Sequence, residues 1–159
     1  MEKVEPVKEH HWLRKLVGEW TSEAEMSMES TTAEKCRGSE SVRTLGDLWV
    51  LCEGTGDMPG GGTAKMLMTL GYDPAKKRFV GTWVGSMMTQ MWVYEGALDA
   101  TQRMLTLESQ GPSMTGDGTT WKYRDVIEFK SDDHRTLTSH AQGADGKWQQ
   151  FMTAHYRRR

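Results

Sequence analysis

The chain has 159 residues, a formal net charge of −2 and two cysteines. A chain of this length forms one domain and can bury about 68–70% of its unfolded surface without disulfides or metals. The balanced charge disfavours nucleic acid or an anionic membrane as a partner, and no apolar run approaches the ~20 residues of a membrane span. Because residues 1–10 are too polar for a signal peptide, we expect a soluble, cytoplasmic protein.

The chain begins with one predicted helix over residues 6–17. Trp12, Leu13, Leu16 and Val17 have helical spacing, with a proline before them and a glycine after them, the usual start and stop signals of a helix. From Glu19 onward, apolar and polar residues alternate with the period of a half-buried strand. The sequence contains ten such runs, over residues 19–29, 33–44, 48–56, 63–72, 77–84, 89–98, 103–110, 119–130, 135–142 and 147–156.

Turn residues separate nearly all of these runs, and no helical crossover interrupts them. The sequence therefore predicts an all-β fold, a ten-stranded antiparallel up-and-down barrel whose closure removes the exposed sheet edges. Alternate loops of such a meander gather at opposite ends. The glycine-rich loops at residues 56–62 and 111–118 then share one rim, the mouth, and the helix closes the other end.

Residues 78–98 form the most apolar predicted hairpin. If Val84 lies opposite Thr89, Trp83 pairs with Gln90 on the inner face of the barrel. The outer face of the hairpin is apolar too. This predicts either that something covers part of this face or that the face forms a homodimer interface. The outer apolar residues are Val80, Val84, Met91 and Val93.

The ten strands also predict a ligand pocket. Eight strands are just filled by their own side chains, and the diameter grows with each added strand. The large inward residues fit either a filled core or a narrow apolar pocket, and we favour the pocket because glycines and small residues thin its lining. The expected ligand is a small apolar or aromatic molecule, stacked on aromatic rings, fitted by flexible methionines and oriented by Asp125 and Gln90. The predicted ligand-binding residues are Met26, Met66, Met68, Phe79, Trp83, Gln90, Trp92, Tyr94, Trp121, Tyr123, Asp125 and Met152.

Catalysis stays open as an alternative. Asp125, Gln150 and Glu40 are predicted on the inner face, and an inward carboxylate, Asp125 or Glu40, could act as a general acid or base on a hydrophobic substrate. The spacing shows no Ser-His-Asp arrangement, phosphate loop or metal-ligand cluster. No catalytic residue, metal or cofactor is therefore predicted.

Haem is the other alternative for the barrel interior. A barrel histidine can ligate haem, and His140 and His155 lie in the last two predicted strands. A two-residue turn at Asp145-Gly146 places His140 opposite Phe151 and points both histidines outward. A bulge or a one-residue change of register would turn them inward.

The two cysteines are not expected to pair. If Leu45-Gly46-Asp47 forms the turn between the second and third strands, Cys36 and Cys52 lie about four residues apart along the ladder. That separation is roughly 13 Å at 3.3 Å per residue, which is too long for a disulfide.

Several short segments resemble known families. Gly18-Glu19-Trp20 and Arg157 resemble the lipocalin and calycin signature, in which an arginine packs on the tryptophan that closes one barrel end. A longer set of segments is similar to the bacterial domain of unknown function 1579 family over essentially the whole chain. These segments are His11–Trp20, Gly71–Pro74, Phe79–Trp83, Tyr94–Gly96 and Asp145–Trp148. The resemblance implies a calycin-like barrel, and it implies no established activity and no catalytic residue.

Overall fold

The computed structural model describes residues 1–26 and 35–159. Helix α1 (Lys8–Leu13) continues into one 3₁₀ turn (Arg14–Leu16), and ten strands follow. The strands are β1 (Gly18–Met26), β2 (Lys35–Leu45), β3 (Trp49–Asp57), β4 (Thr63–Asp73), β5 (Arg78–Gly85), β6 (Trp92–Leu98), β7 (Met104–Pro112), β8 (Thr120–Ser131), β9 (His134–Gln142) and β10 (Trp148–Arg158). The predicted strand segments 27–29 and 33–34 lie outside the described residues.

The strands form a closed, antiparallel up-and-down barrel. Each strand pairs with its neighbours in the sequence, and β1 pairs with β10 from Trp20↔Arg158 to Met26↔Met152. The predicted fold class is therefore confirmed. In the part of the chain that the structure describes, no helix is long and apolar enough to cross a membrane.

Two predicted registers are wrong by two residues. Thr44 pairs with Val50 instead of Leu48, and Trp83 pairs with Trp92 instead of Gln90. The β2–β3 turn has the predicted three residues but begins one residue later in the chain, whereas the β5–β6 connection is longer than we predicted and spans residues 86–91. A shift of two residues changes the pairing and leaves each strand side chain on its predicted face.

The β9–β10 register is right on one side of a β-bulge and wrong on the other. Ser139 pairs with Met152 as predicted, but the bulge beyond it makes His140 pair with Gln150 instead of Phe151. Gln150 therefore lies on the outer face, where its side chain donates to Thr153 at 2.6 Å. Its predicted inward position is wrong because one extra residue reverses the alternation of side chains.

The hydrophobic core fills the helix half of the barrel. The Trp12 ring meets the Phe79 and Phe129 rings edge-on, with centroids 6.1 and 5.7 Å apart, so the helix closes this end as predicted. The core consists of Trp12, Leu13, Leu16, Trp20, Val42, Val50, Cys52, Met68, Leu70, Phe79, Tyr94, Leu105, Leu107, Ile127 and Phe129. Cys52 belongs to this core, and no disulfide joins it to Cys36.

Trp20 occupies the centre of the closed end and has no exposed surface. Its indole Nε1 donates to the Leu16 carbonyl oxygen at 2.8 Å, and the Arg158 guanidinium covers its ring at 4.2 Å from the centroid. The predicted partner, Arg157, is wrong by one residue. β10 runs one residue beyond that position, and Arg157 pairs with Thr21, whose side chain is exposed.

Candidate functional site

Two inward layers of side chains lie below the mouth of the barrel. Trp92 and Tyr123 each lie two residues closer to the mouth than Tyr94 and Asp125 on the same strands. Because alternate residues of a strand share a face, the first pair forms an upper layer and the second pair forms a lower layer. The predicted inner wall is thus assembled from strands that are distant in the sequence.

The lower layer is polar. The Tyr94 hydroxyl donates to Oδ2 of Asp125 at 2.5 Å, and the Ser139 hydroxyl donates to Oδ1 at 2.7 Å. Ser139 lies directly opposite Asp125 in the β8–β9 ladder, whereas Tyr94 reaches the carboxylate from β6. Together they form a carboxylate site in an interior that is otherwise mainly apolar.

The surroundings of Asp125 change its proton affinity. Desolvation raises the pKa of the Asp125 carboxyl, and it outweighs the lowering by the hydrogen bonds from Tyr94 and Ser139 and by nearby His140. Desolvation, followed by the Asp125 charge and its hydrogen bond, raises the pKa of Tyr94. The tyrosine therefore stays a hydrogen-bond donor, and the carboxyl holds its proton to higher pH than an exposed aspartate does.

Because the pKa of Asp125 is raised in the folded state, we expect the free energy of unfolding to depend on pH. Between the unfolded pKa of about 3.9 and the raised folded value, the folded state binds more protons, so stability falls as pH rises, by at most about 1.4 kcal/mol per pH unit. Asp125→Asn removes this contribution. Its destabilisation relative to the unmodified protein should therefore shrink between about pH 4 and pH 8, as measured by urea unfolding at each pH.

The matched control for loss of a carboxylate is Asp57→Asn, at an exposed position. A difference between Asp125→Asn and the unmodified protein that is constant over this range, or that grows with pH, would contradict the raised pKa of Asp125.

The upper layer is aromatic. The Trp92 and Tyr123 rings meet edge-on with centroids 4.8 Å apart, and Phe151 meets Tyr123 from the other side at 6.3 Å. Trp83 pairs with Trp92 across β5 and β6. The indole Nε1 of Trp92 donates to Sδ of Met88 at 3.3 Å, so the β5–β6 loop contributes a thioether to the rim of this wall.

Three inward-facing residues beside the lower layer are only partly buried. Asp125, Leu137 and Tyr156 face inward, beside the buried Ser139 and Ala154, yet each keeps part of its solvent-accessible surface. Neighbouring residues therefore leave part of their surface uncovered. This observation favours a pocket over a completely filled core.

A buried ion pair lies below the polar layer and was missed in the sequence. Glu40, on the inner face as predicted, pairs with Arg135, and their side chains are 14% and 4% exposed. The Arg135 guanidinium lies 4.6 Å from the Trp20 ring centroid and 4.1 Å from that of Tyr156. The sequence could have indicated this pair, because Arg135 lies an even number of residues before Ser139 in the same strand and therefore faces inward with it.

The structure gathers most, but not all, of the predicted ligand-binding residues near the mouth. Trp83, Trp92, Tyr94, Tyr123 and Asp125 form the two layers, and the other predicted residues lie around or away from them. Met26 pairs with Met152 near the mouth, Met66 lies over the glycines of β3, and Trp121 lies beside Gly143.

Three predicted residues lie elsewhere. Met68 and Phe79 belong to the hydrophobic core, with Phe79 against the helix. Gln90 lies in the β5–β6 loop, where its amide donates to the Met91 carbonyl oxygen at 3.0 Å. Phe151 was missed because the bulge that turns its ring toward Tyr123 leaves no signal in the alternation pattern.

The histidines considered as haem ligands point away from the interior. His155 alternates with the buried Ala154, and His140 alternates with the buried Ser139. On the outer surface the His155 ring stacks on His134, with Nδ1 and Nε2 2.9 Å apart. Among the described residues, no group of three or more His, Cys, Asp or Glu side chains is arranged to hold a metal ion.

Two concavities lie outside the barrel interior. A groove of 590 Å³ crosses the outer face of β3, β4 and β5 and includes Leu67 and Val84. A cleft of 380 Å³ lies at the helix end and includes Glu9, Trp12 and Tyr72. Neither is lined by the Tyr94–Asp125 layer.

The closed antiparallel barrel with its buried tryptophan and capping arginine defines a lipocalin-like, or calycin-like, barrel. The chain belongs to the family described as "protein of unknown function (DUF1579)", whose profile matches residues 5–158. The family resemblance seen in the sequence is thus confirmed. A comparison with curated protein sequences gives no match.

Solved structures share this fold at low sequence identity. The S-type phycobiliprotein lyase CPES from Guillardia theta has a TM-score of 0.65 at 12% identity, covering 96% of this chain and 93% of its own. Rv2717c from M. tuberculosis has a TM-score of 0.63 at 11% identity, covering 98% and 99%. The structure of EF1p2_mFAP2b bound to DFHBI has a TM-score of 0.51 at 12% identity, covering 94% and 98%. At such identities the likeness shows the fold.

Proposed function

We propose that this protein binds a small apolar or aromatic molecule in the mouth half of the barrel. The single observation that carries the proposal is that Asp125, Leu137 and Tyr156, which face into the closed barrel, are only partly buried. The rings of Trp92 and Tyr123 lie above this carboxyl, so an apolar body can contact the rings while one polar group reaches the Asp125–Tyr94 pair. Pockets of this kind are lined by apolar groups and carry a few polar groups that fix orientation.

The comparisons support the class of function. One barrel of this fold was solved bound to the small molecule DFHBI, and another is described as a designed fluorescence-activating β-barrel. A third is described as a phycobiliprotein lyase. Small molecules are therefore suitable occupants for a barrel of this architecture, and the aromatic upper layer favours a planar or aromatic one.

The inner carboxylates suit orientation of a ligand better than catalysis. Glu40 is already paired with Arg135, and their side chains are largely buried. Asp125 accepts hydrogen bonds at both of its oxygens. The haem alternative loses its interior ligands, because His140 and His155 lie on the outer face.

Native mass spectrometry of the protein purified from its own host tests the proposal. Mild denaturation should release one small molecule per chain, and the stripped protein should rebind it. Trp92→Ala removes a ring of the upper layer and should weaken rebinding at least tenfold. The matched control is Trp49→Ala, since this tryptophan is 41% exposed on the outside of β3, and it should rebind like the unmodified protein.

A bare protein mass, together with no binding of an added aromatic probe such as anilinonaphthalene sulfonate, would contradict the proposal. Equal rebinding by Trp92→Ala and Trp49→Ala would place the ligand elsewhere in the molecule.

A homodimer is a second proposal, and it is compatible with ligand binding. The outer face of the β5–β6 hairpin leaves Val84, Met91 and Val93 exposed by 39%, 54% and 60%, and exposed apolar patches commonly mark association. The same native spectrum reports whether two chains travel together. A Val80→Lys, Val93→Lys variant should then give only the single-chain mass.

A further inference from the structure

We propose a second ligand site, at the helix end of the barrel, for a small protonated amine that carries an aromatic or branched apolar group. It occupies the 380 Å³ cleft between helix α1 and the turns that join β4 to β5 and β6 to β7. This site lies at the opposite end of the barrel from the mouth, and it does not depend on the function proposed above.

The floor of the cleft is aromatic. The Tyr72 and Phe79 rings meet edge-on with centroids 5.0 Å apart, and Trp12 meets Phe79 at 6.1 Å. The cleft volume falls within the range of about 300–1,000 Å³ that small-molecule sites occupy. A surface of rings can pack against an apolar group and also attracts a cation through the negative faces of the rings.

A carboxylate without a hydrogen-bond partner provides the chemical preference. Glu9 lines the cleft, and its Oε2 is shielded from solvent and accepts no hydrogen bond from any described residue. Shielding a carboxylate oxygen without a donor is unfavourable, because the hydrogen bonds to water that it loses are not replaced. A rotation of the Glu9 side chain toward the cleft would bring Oε2 to an ammonium group bound there, and this group would supply both the missing donor and the opposite charge.

The electrostatic surroundings of the ring floor agree with this preference. Desolvation, and then the negative charges of Glu9 and Asp73, raise the pKa of the Tyr72 phenol. The same field that disfavours a second anion beside this ring favours a cation at that position.

The other charged groups of the cleft leave Glu9 as the available acceptor. The Asp99 carboxylate accepts the Arg103 and Met104 backbone N–H groups and the Thr101 hydroxyl, so its own turn occupies it. Lys8 and Lys77 lie at exposed positions along the cleft. Their ammonium groups can remain in water, which weakens their repulsion of a bound cation.

The walls of the cleft are held in a conformation that ordinary residues seldom adopt. In the described ranges, Lys77 and Gln102 are the non-glycine residues with positive φ, at 55° and 58°, and both line this cleft. The Gln102 carbonyl oxygen accepts the Trp12 Nε1–H at 2.6 Å, which fixes the floor to the β6–β7 turn. Such backbone conformations persist where the surrounding structure enforces them, and they concentrate at functional sites.

A nuclear magnetic resonance titration of the full chain with phenethylamine tests this site. The neutral isostere phenethyl alcohol is the matched ligand control. We expect saturable shifts of the Trp12 indole N–H and of the Lys77 and Gln102 amides. The apparent affinity should be at least tenfold lower for phenethyl alcohol, and also for phenethylamine with the Glu9→Gln variant.

Glu5→Gln is the matched protein control. It removes one carboxylate from the same N-terminal segment at an exposed position outside the cleft, and it should leave the affinity for phenethylamine unchanged. Preserved dispersion of the amide spectrum shows that the Glu9→Gln variant is folded.

Three results would overturn the proposal. One is the absence of shifts at the three reporting groups at millimolar phenethylamine. Another is an equal affinity of the Glu9→Gln variant and the unmodified protein for phenethylamine. The third is a set of shifts confined to the indoles of Trp83 and Trp92, which would assign amine binding to the mouth.

Discussion

Replacing Trp20 with alanine is expected to lower the free energy of unfolding by about 3–5 kcal/mol. The indole has no exposed surface and donates to the Leu16 carbonyl oxygen at 2.8 Å. The guanidinium groups of Arg135 and Arg158 also lie over its ring, at 4.6 and 4.2 Å from the centroid. The variant would contain a cavity, a carbonyl without its donor and two cations without the ring that covers them. Equilibrium urea unfolding measures the loss.

Trp49→Ala is the matched control, because it removes the same side chain from a position that is 41% exposed. Surface substitutions of this kind change stability little, and we expect a loss below about 1 kcal/mol. Similar losses for the two variants would show that Trp20 does not organise the closed end.

Replacing Glu40 with glutamine is expected to destabilise the fold by about 3–5 kcal/mol, since it leaves the Arg135 guanidinium enclosed without its counter-ion. The Arg135 and Glu40 side chains are only 4% and 14% exposed, and Nε of Arg135 already lacks a hydrogen-bond partner among the described residues. The double variant Glu40→Leu, Arg135→Met removes both charges. Its stability should return close to that of the unmodified protein, because apolar replacement of a buried pair is often neutral or stabilising.

Glu95→Gln is the matched control for a lost carboxylate. It breaks the 3.3 Å ion pair with Lys76, whose side chains are 55% and 58% exposed, and pairs of this kind contribute at most about 1 kcal/mol. If Glu40→Gln and Glu95→Gln cost the same in urea unfolding, the inner pair does not carry the penalty of an isolated buried charge.

The fold was predictable because alternation with a period of two persists through all ten strands. Each described strand begins and ends within a few residues of its predicted bounds, and turn residues mark nearly every boundary. The residues that pair across neighbouring strands were harder to predict, because the register of two strands depends on how many residues the turn between them contains. Gln90 was assigned to a strand for this reason, and the six residues of the β5–β6 connection move Trp92 into its place opposite Trp83.

The sequence predicted which side chains of the candidate site face the interior, but it did not predict which of them touch one another. Parity placed Tyr94, Tyr123 and Asp125 inward, but alternation says nothing about which strands meet across the interior. The bond between Tyr94 on β6 and Asp125 on β8 depends on the curvature of the closed sheet. Arg135 was missed because a charged residue at an inward position contradicts the hydrophobic pattern, and only the three-dimensional structure brings Glu40 to it.

The pairing of β1 with β10 has a consequence for synthesis. A barrel of this kind has no free edge only after its tenth strand has been made, and until then β1 and β9 each present an unpaired row of backbone groups. Such rows are templates for pairing with another chain, and incompletely folded chains that expose them tend to aggregate. The interval between translation of β9 and docking of Arg158 over Trp20 is therefore when the nascent chain most needs protection from its neighbours.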